Sequence, residues 1–534
     1  LIEQLQQGTE EVIIPTRKFT FMNETLISQE MGTVVCEQER ERSLFPCTIV
    51  IFGASGDLAA RKLIPALLEL YGAGSLPEPF SIVGTSRSGM DDEQFRQHLE
   101  DKLHEHHVSF EETVWLKFAA HLHYQPISYD SEEAFLRLAD FLGRLDAEKK
   151  TGGNRIFYLA VPPSVYGQIG EMLGKVGMSL ENTNGNGWSR IVVEKPFGRD
   201  LKSALELDSS MHASFSEHQI FRIDHYLAKE TVQNILMFRF ANAIFEPVWN
   251  RGYIDYVGII AAEKIGIEQR AGYYEQSGVI RDMFQNHMMQ LLALTAMEPP
   301  SVFHADRVQD EKIKVFRSLK PFEEARPEEN LILGQYIAGS IDGVNLPAYR
   351  QEDGVAPGSV VPTFAMLRLF IDNWRWRGVP FYLSSGKRMK EKITRIVVQF
   401  KEVPLSIFRN VLGETISANR LILSVYPKEN IILTFQAKLP GSKICMQTVT
   451  MEFTYGGQKT SLDAYAKVLL DCIEGDHMLF WRRDGVDQTW SFLDPILVEC
   501  GNCSEREERL HFYSAGSWGP SPSMEWMNRI LKNV

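Results

Sequence analysis

At 534 residues the chain is too long for one small domain, and a prior of about 150 residues per domain predicts roughly two to four. Its 44% hydrophobic content can build real cores, while a formal charge of -13, from 56 basic and 69 acidic residues, removes the electrostatic basis for binding nucleic acid or an acidic membrane. Six cysteines are too few for a disulfide framework, and the pair Cys500 and Cys503 has no second pair to complete a zinc site, so reduced thiols and no metal are expected. The sequence contains no apolar run of 18 residues and its start has no basic-then-apolar pattern, so a cytoplasmic protein without a membrane span is expected.

Residues 1–45 are polar, without sustained periodicity, and are expected to be an extension, partly disordered, with Met22 and Met31 as alternative starts. Cys36 and Cys47 flank its end. Residues 48–52, T-I-V-I-F, are the continuous β-branched and apolar run that a buried parallel strand needs. They lead straight into Gly53, Ala54, Ser55, Gly56, Asp57 and Leu58. Leu63, Ala66, Leu67 and Leu70 then recur at helical spacing, with Pro65 in the first turns. Strand, glycine turn and helix make a dinucleotide-binding unit, in which the backbone approaches a pyrophosphate at the helix N-terminus. The glycine pattern is shorter than the full fingerprint. The next strand ends at Thr85, Ser86 and Arg87, with no acid to hold a ribose 2'-hydroxyl; Arg87 suits a 2'-phosphate and favours NADP over NAD.

Residues 92–106 and 132–145 read as amphipathic helices, and His121 and His123 between them lack ligand spacing. Buried strands follow at residues 155–161 and 191–194. The second ends at Lys195-Pro196, where proline biases the lysine toward extended backbone and aims its ammonium across the crevice. Residues 219–223 form another strand-like run that gives way to R-I-D-H-Y-L-A-K-E, residues 222–230. Here Asp224, His225, Tyr226 and Lys229 precede Val232, Ile235, Leu236 and Phe240 at helical spacing. Such a cluster near a helix N-terminus favours an anion, and a phosphate-bearing substrate is expected. If the segment is helical, His225 and Lys229 share a face.

From residue 256 the pattern shifts to strand-like runs, at 257–262, 363–372, 393–400, 421–426 and 431–436, which predict an antiparallel sheet. One helix, residues 277–297, interrupts them. Its apolar face carries Ile280, Met283, Phe284, Met288, Leu291 and Leu292, with His287 on or beside it. Residues 347–362, rich in Gly and Pro, predict a long surface loop near the site, and residues 380–392 add a glycine turn with basic residues.

R-I-D-H-Y-L-A-K-E resembles the R-I-D-H-Y-L-G-K-E signature of glucose-6-phosphate dehydrogenases, with Ala228 in place of the glycine. E-K-P-F-G-R-D, residues 194–200, is similar to a second motif of that family, in the right order. Residues 238–250, G-V-I-R-D-M-F-Q-N-H at 278–287, residues 462–497 with D-A-Y at 463–465, and W-G-P at 518–520 also resemble it. The likeness therefore runs from about residue 46 to the end.

The resemblance implies an α/β plus α+β fold: a Rossmann-type parallel-sheet domain for NADP over 46–218, then a larger α+β domain for substrate and dimerisation over 219–534, built on a mainly antiparallel sheet. It implies oxidation of glucose 6-phosphate to 6-phosphogluconolactone by hydride transfer from C1 to NADP, the first step of the oxidative pentose phosphate pathway, in a homodimer or homotetramer. His287 is the implied base and Asp224 its partner. His225, Tyr226 and Lys229, with Lys387 and Lys392, are implied for the phosphate, and Glu263 and Asp282 for sugar hydroxyls. The glycine turn from Gly53 to Leu58, with Lys62, Arg87 and Tyr158, is implied for the cofactor, and Lys195 for both ligands, with a cis peptide before Pro196. Ala60 stands where many relatives have a lysine, so that part of the phosphate clamp is either missing or supplied by Arg61, and no convincing basic set for a second, structural NADP site is present. NAD or dual use, and a non-catalytic relative that only binds NADP, are the alternative readings.

Overall fold

The computed structural model describes residues 44–181, 187–322, 329–412, 416–454, 463–499 and 507–532. The predicted extension through residue 43, with Cys36, and the pair Cys500 and Cys503 lie outside them.

The early apolar runs become β1 (Cys47–Phe52), β2 (Phe80–Thr85), β3 (Leu122–Tyr124), β4 (Arg155–Leu159), β5 (Ser189–Val193) and β6 (Ile220–Ile223). Every residue of β1 and β2 is buried, as expected of strands covered on both faces. Cys47, inside β1, is sealed there, and burial pushes its thiol up to about 12, so it is an inert core residue. The later runs become β7 (Ile254–Ala262), β8 (Leu331–Ile337), a small hairpin of β9 (Gly339–Ile341) and β10 (Val344–Leu346), then β11 (Phe364–Phe370), β12 (Pro380–Gly386), β13 (Ile393–Phe400), β14 (Arg420–Tyr426), β15 (Asn430–Lys438) and β16 (Met446–Thr454). Two short strands close the set, β17 (Phe480–Trp481) and β18 (Leu510–Ser514).

The first sheet has the order β17-β6-β5-β4-β1-β2-β3 and is parallel except for β17. Chain direction across the sheet reverses between β1 and β4, which opens a crevice at their C-terminal ends. The expected division after residue 218 falls inside this sheet. β6 pairs in parallel with β5, and β17, from far along the chain, pairs antiparallel with β6. The second sheet has the order β16-β15-β14-β13-β7-β12-β11-β8-β18 and is antiparallel except where β7 meets β12 and β8 meets β18.

The helix predicted over 277–297 is not uniform. Helix Ala271–Val279 kinks at Gly278, whose φ of 56° and ψ of -179° suit glycine, a π-helix covers Ile280–Met288, and an α-helix continues over Met289–Ala296. The loop predicted at 347–362 is partly buried: Tyr349 is sealed, and its hydroxyl donates to Glu275 Oε1 at 2.5 Å. Among the described residues no helix is long and apolar enough to cross a membrane.

Candidate active site

Two parallel strands and the π-helix meet at the centre. Lys195 follows β5, Asp224 follows β6, and both leave the C-terminal edge of the sheet beside the crevice. The π-helix delivers Asp282 and His287, five residues apart. On an α-helix, at 3.6 residues per turn, they would diverge by roughly 140°. The i to i+5 winding brings them to the same side, and both meet the Lys195 ammonium. An α-helical pattern cannot anticipate this.

His287 and Asp224 are each 1% exposed. His287 Nδ1 lies 2.5 Å from Asp224 Oδ1, which also accepts from the Tyr226 backbone N-H at 3.0 Å. Lys195 Nζ lies 3.0 Å from His287 Nε2. A carboxylate only accepts and an ammonium only donates, so both neighbours require one tautomer: Nδ1 carries the proton and Nε2 offers its lone pair. Burial pulls the imidazole below its ordinary 6.5, Asp224 works against that, and the Lys195 charge adds to it, so His287 is neutral at pH 7. Burial opposes ionisation of Asp224, but the charge and hydrogen bond of His287 hold its carboxyl well below the usual 3.8. Asp224, His225 and His287 also bring three donor atoms within 4.8 Å of one another. They do not suit a metal ion, because His287 spends Nδ1 on Asp224 and Nε2 on an ammonium that would repel a cation.

The segment between Asp224 and the next helix is a run of turns, and the helix starts only at Glu230. His225 and Lys229 are therefore gathered by a turn, not by the shared helical face that their spacing suggested. The Tyr226 ring stacks on His287 at 4.0 Å, His225 meets it edge-on at 4.8 Å, and Lys229 Nζ sits 3.8 Å over the Tyr226 ring. Burial and then His287 pull His225 down to about 3, so it is a neutral donor, not a second cation. Burial lowers Lys229, and the charge of exposed Lys392 lowers it further. Two neighbouring ammonium groups at the mouth of a cleft suit a polyanion.

Lys387, expected with the phosphate group, is instead engaged by the acids. Its Nζ lies 2.6 Å from Glu263 Oε2 and 3.8 Å from Asp282 Oδ2. Asp282 also meets Lys195 Nζ, through its carbonyl at 3.0 Å and Oδ1 at 3.5 Å. Burial opposes its charge, yet Lys195 and Lys387 bring its carboxyl down to about 2. Tyr273, which sequence reasoning missed, points its hydroxyl at Asp282 Oδ1 from 3.4 Å. A tyrosine at the start of a short helix carries no pattern that marks it.

At the other end of the crevice, Gly53 has φ +82°, and a Cβ there would lie 2.4 Å from the Ala160 carbonyl oxygen. The turn closes through Gly53 N to Thr85 O at 2.8 Å and Gly56 N to Gly53 O at 2.9 Å, with Ala54 between them buried. This bare backbone cradle fits the pyrophosphate of a dinucleotide. Ser55 Oγ donates to Ser86 Oγ at 3.0 Å, and half-buried Leu58 lies in the first helical turn. Asp57 faces outward and pairs with Arg61 at 3.1 Å, so the arginine expected to replace the missing lysine is already engaged. Lys62 Nζ lies 5.8 Å over the Tyr465 ring, and Arg87 is exposed.

Tyr158 lies in β4, beside β1. It is fully buried, its ring packs in the core, and its hydroxyl donates to Glu194 Oε1 at 2.6 Å. Glu194 is the residue the E-K-P motif left unassigned; burial raises its carboxyl, and Tyr158 and Lys195 counter that. The Lys195-Pro196 peptide is cis.

The model of the glucose-6-phosphate dehydrogenase NAD binding domain matches residues 50–234, and that of the C-terminal domain matches residues 236–533. The chain is 45% identical over 477 residues to the glucose-6-phosphate 1-dehydrogenase of Aggregatibacter actinomycetemcomitans, covering 89% of this chain and 94% of that one. It is 41% identical over 480 residues to the Bacillus subtilis enzyme of the same name, covering 89% and 95%. Among solved structures, a glucose-6-phosphate dehydrogenase in complex with its substrate glucose-6-phosphate superposes with a TM-score of 0.82 at 34% identity, over 91% of this chain and 97% of that one.

Proposed function

Because the chain belongs to the glucose-6-phosphate dehydrogenase family, we propose that it oxidises glucose 6-phosphate to 6-phosphogluconolactone with NADP as the hydride acceptor and His287 as the base. The observation that carries the mechanism is the double commitment of His287, Nδ1 to Asp224 and Nε2 to Lys195.

The C1 hydroxyl takes the place of Lys195 against Nε2, and His287 removes its proton. Asp224 accepts a hydrogen bond from Nδ1-H throughout, stays ionised and balances the imidazolium as it forms. The bound nicotinamide supplies the acceptor for the hydride that leaves C1. Lys229 and Lys392, with His225 and Tyr226, hold the 6-phosphate, and that remote binding energy fixes C1 at the base. Glu263, Asp282 and Lys387 form a charged group for the sugar hydroxyls, where an unmatched substrate would leave buried polar atoms unpaired. The turn from Gly53 to Leu58 holds the pyrophosphate, with Lys62 beside it. Exposed Arg87 after β2, with no acid among residues 85–87, supports a 2'-phosphate and so NADP.

Association into a homodimer or homotetramer is part of this reading, supported by Met451, 60% exposed on the edge strand β16. Buried free thiols at Cys47 and Cys472 fit a cytoplasmic location. The test is the absorbance of reduced nicotinamide when the purified chain meets glucose 6-phosphate with NADP or NAD, and free glucose as control. Turnover is expected with NADP and to require the phosphate. Equal rates with free glucose would refute the phosphate site, and silence with every pairing would refute the activity.

A further inference from the structure

Lys312 lies on helix Ala305–Arg317 and is 1% exposed, among the apolar residues of that helix's inner face. The helix rests on β17, where Gln309 Nε2 donates to the Phe480 carbonyl at 2.6 Å, and Lys312 Nζ lies 6.0 Å from the Trp481 ring. In β17, Trp481 pairs with Arg222 and Phe480 with Ile223, so Lys312 sits at the level of the last residues of β6. The next residue is Asp224. Both hydrogen bonds to Asp224 fall on Oδ1, while Oδ2 is buried and has no hydrogen-bond partner among the described residues.

A lysine sealed among apolar side chains carries a heavy desolvation cost that a methionine of similar length would avoid. Burial pulls its ammonium down to about 7, Asp224 is the charge that opposes this, and Arg482 adds a smaller repulsion. Arg482 is itself answered by Asp310 and Asp484, each at 2.8 Å, which leaves Asp224 as the carboxylate that Lys312 senses.

We propose that Lys312 is a positioning residue that acts through Asp224: its buried ammonium, approaching from the side of β17, balances part of the carboxylate charge and limits how tightly His287 holds a proton. The inference rests on the reading of Asp224 and His287 as the base pair. Where His287 titrates, below its ordinary 6.5, Lys312 carries its charge. Without it the whole carboxylate charge falls on the imidazole, which then keeps its proton to higher pH.

The test uses the full chain and the pH profile of kcat/KM for glucose 6-phosphate. In Lys312→Met the acid limb should move up by roughly half to one pH unit, as expected for one charge removed at several ångströms in a protein interior. Lys312→Arg should leave the limb near its original place. An unmoved limb in Lys312→Met, or equal displacement in both variants, overturns the proposal. Thermal unfolding provides a readout independent of turnover: the loss caused by Lys312→Met should shrink in an Asp224→Asn background, because the methionine then strands no buried charge. Failure of Lys312→Met to fold, with recovery in the double variant, is the extreme form of that result. Equal losses in both backgrounds would make Lys312 a packing residue only. Undiminished turnover in His287→Asn would instead defeat the base-pair reading, a result distinct from any of these.

Discussion

The pair of Asp224 and His287 proposed as the base and the glycine turn proposed for the dinucleotide both lie at the C-terminal edge of one parallel sheet, yet they are built in opposite ways. At the base, Asp224 and His287 are closed off from solvent and joined to each other, with Lys195 capping the free nitrogen. At the turn, the backbone is fixed by Gly53 and Gly56 while the charges stand in water: Arg61 and Asp57 keep 57% and 63% of their side-chain surface, and Arg87 is exposed. Proton transfer is helped by groups already in place in a low dielectric, whereas exposed charges stay weak until a ligand buries them. On the proposed reading the chemistry is thus preorganised, and the choice of cofactor is left to the rim.

The sharpest way to break that contrast is His287→Asn. Turnover should fall by roughly 10²–10⁴-fold, with calorimetric affinity for glucose 6-phosphate nearly unchanged; normal turnover would move the base elsewhere. At the rim, Arg87→Ala should raise the KM for NADP by about tenfold, the effect of losing one charge-assisted contact, and leave NAD use as it was. Parallel losses for both cofactors would show that Arg87 supports the turn and does not choose between them.

The smallest effect is on stability. His287 is held below 6.5, so the unfolded chain takes its proton first and stability declines as pH falls below 6.5. Asp224 and Asp282 are held below 3.8, so their contribution is present above 3.8 and is lost as pH falls from there, that of Asp282 through about 2 and that of Asp224 at still lower pH. Thermal unfolding should show both steps, each worth a few degrees, and Asp224→Asn should flatten the lower one. A curve insensitive to Asp224→Asn would mean that the preorganised end stores no such energy.

The contrast also explains what the sequence could tell. Continuous apolar runs and a glycine turn are local signals, and they located β1 and the turn that follows it at Gly53. The strands from β11 to β15 were legible for the same reason. The π-winding was not, because it depends on what the helix packs against, and so the reason why Asp282 and His287 share a side was hidden. The bond of Tyr158 to Glu194 was equally hidden, because β4 is buried on both faces, where period-two alternation no longer reports direction. Lys387 carried a charge but no partner until β7 and β12 lay side by side, bringing Glu263 to it. That the division at 218 passes between two strands of one sheet was also hidden, because the two-residue β17, whose partner lies far back in the chain, carries no local signal.

That remote strand has a consequence for how the protein is made. Until residues 480 and 481 leave the ribosome, β6 is an open edge just before Asp224, and Phe221 lacks the His477 ring that stacks on it at 3.9 Å and the Phe480 edge at 4.9 Å. At ~5–20 residues per second the nascent chain waits tens of seconds in that condition. Expressed alone, the dinucleotide half would keep its cradle but carry a raw apolar edge, a template for pairing with its own copies. The two halves are therefore one folding unit, and a gene cut between them should yield aggregate where a modular reading would expect a small nucleotide-binding protein.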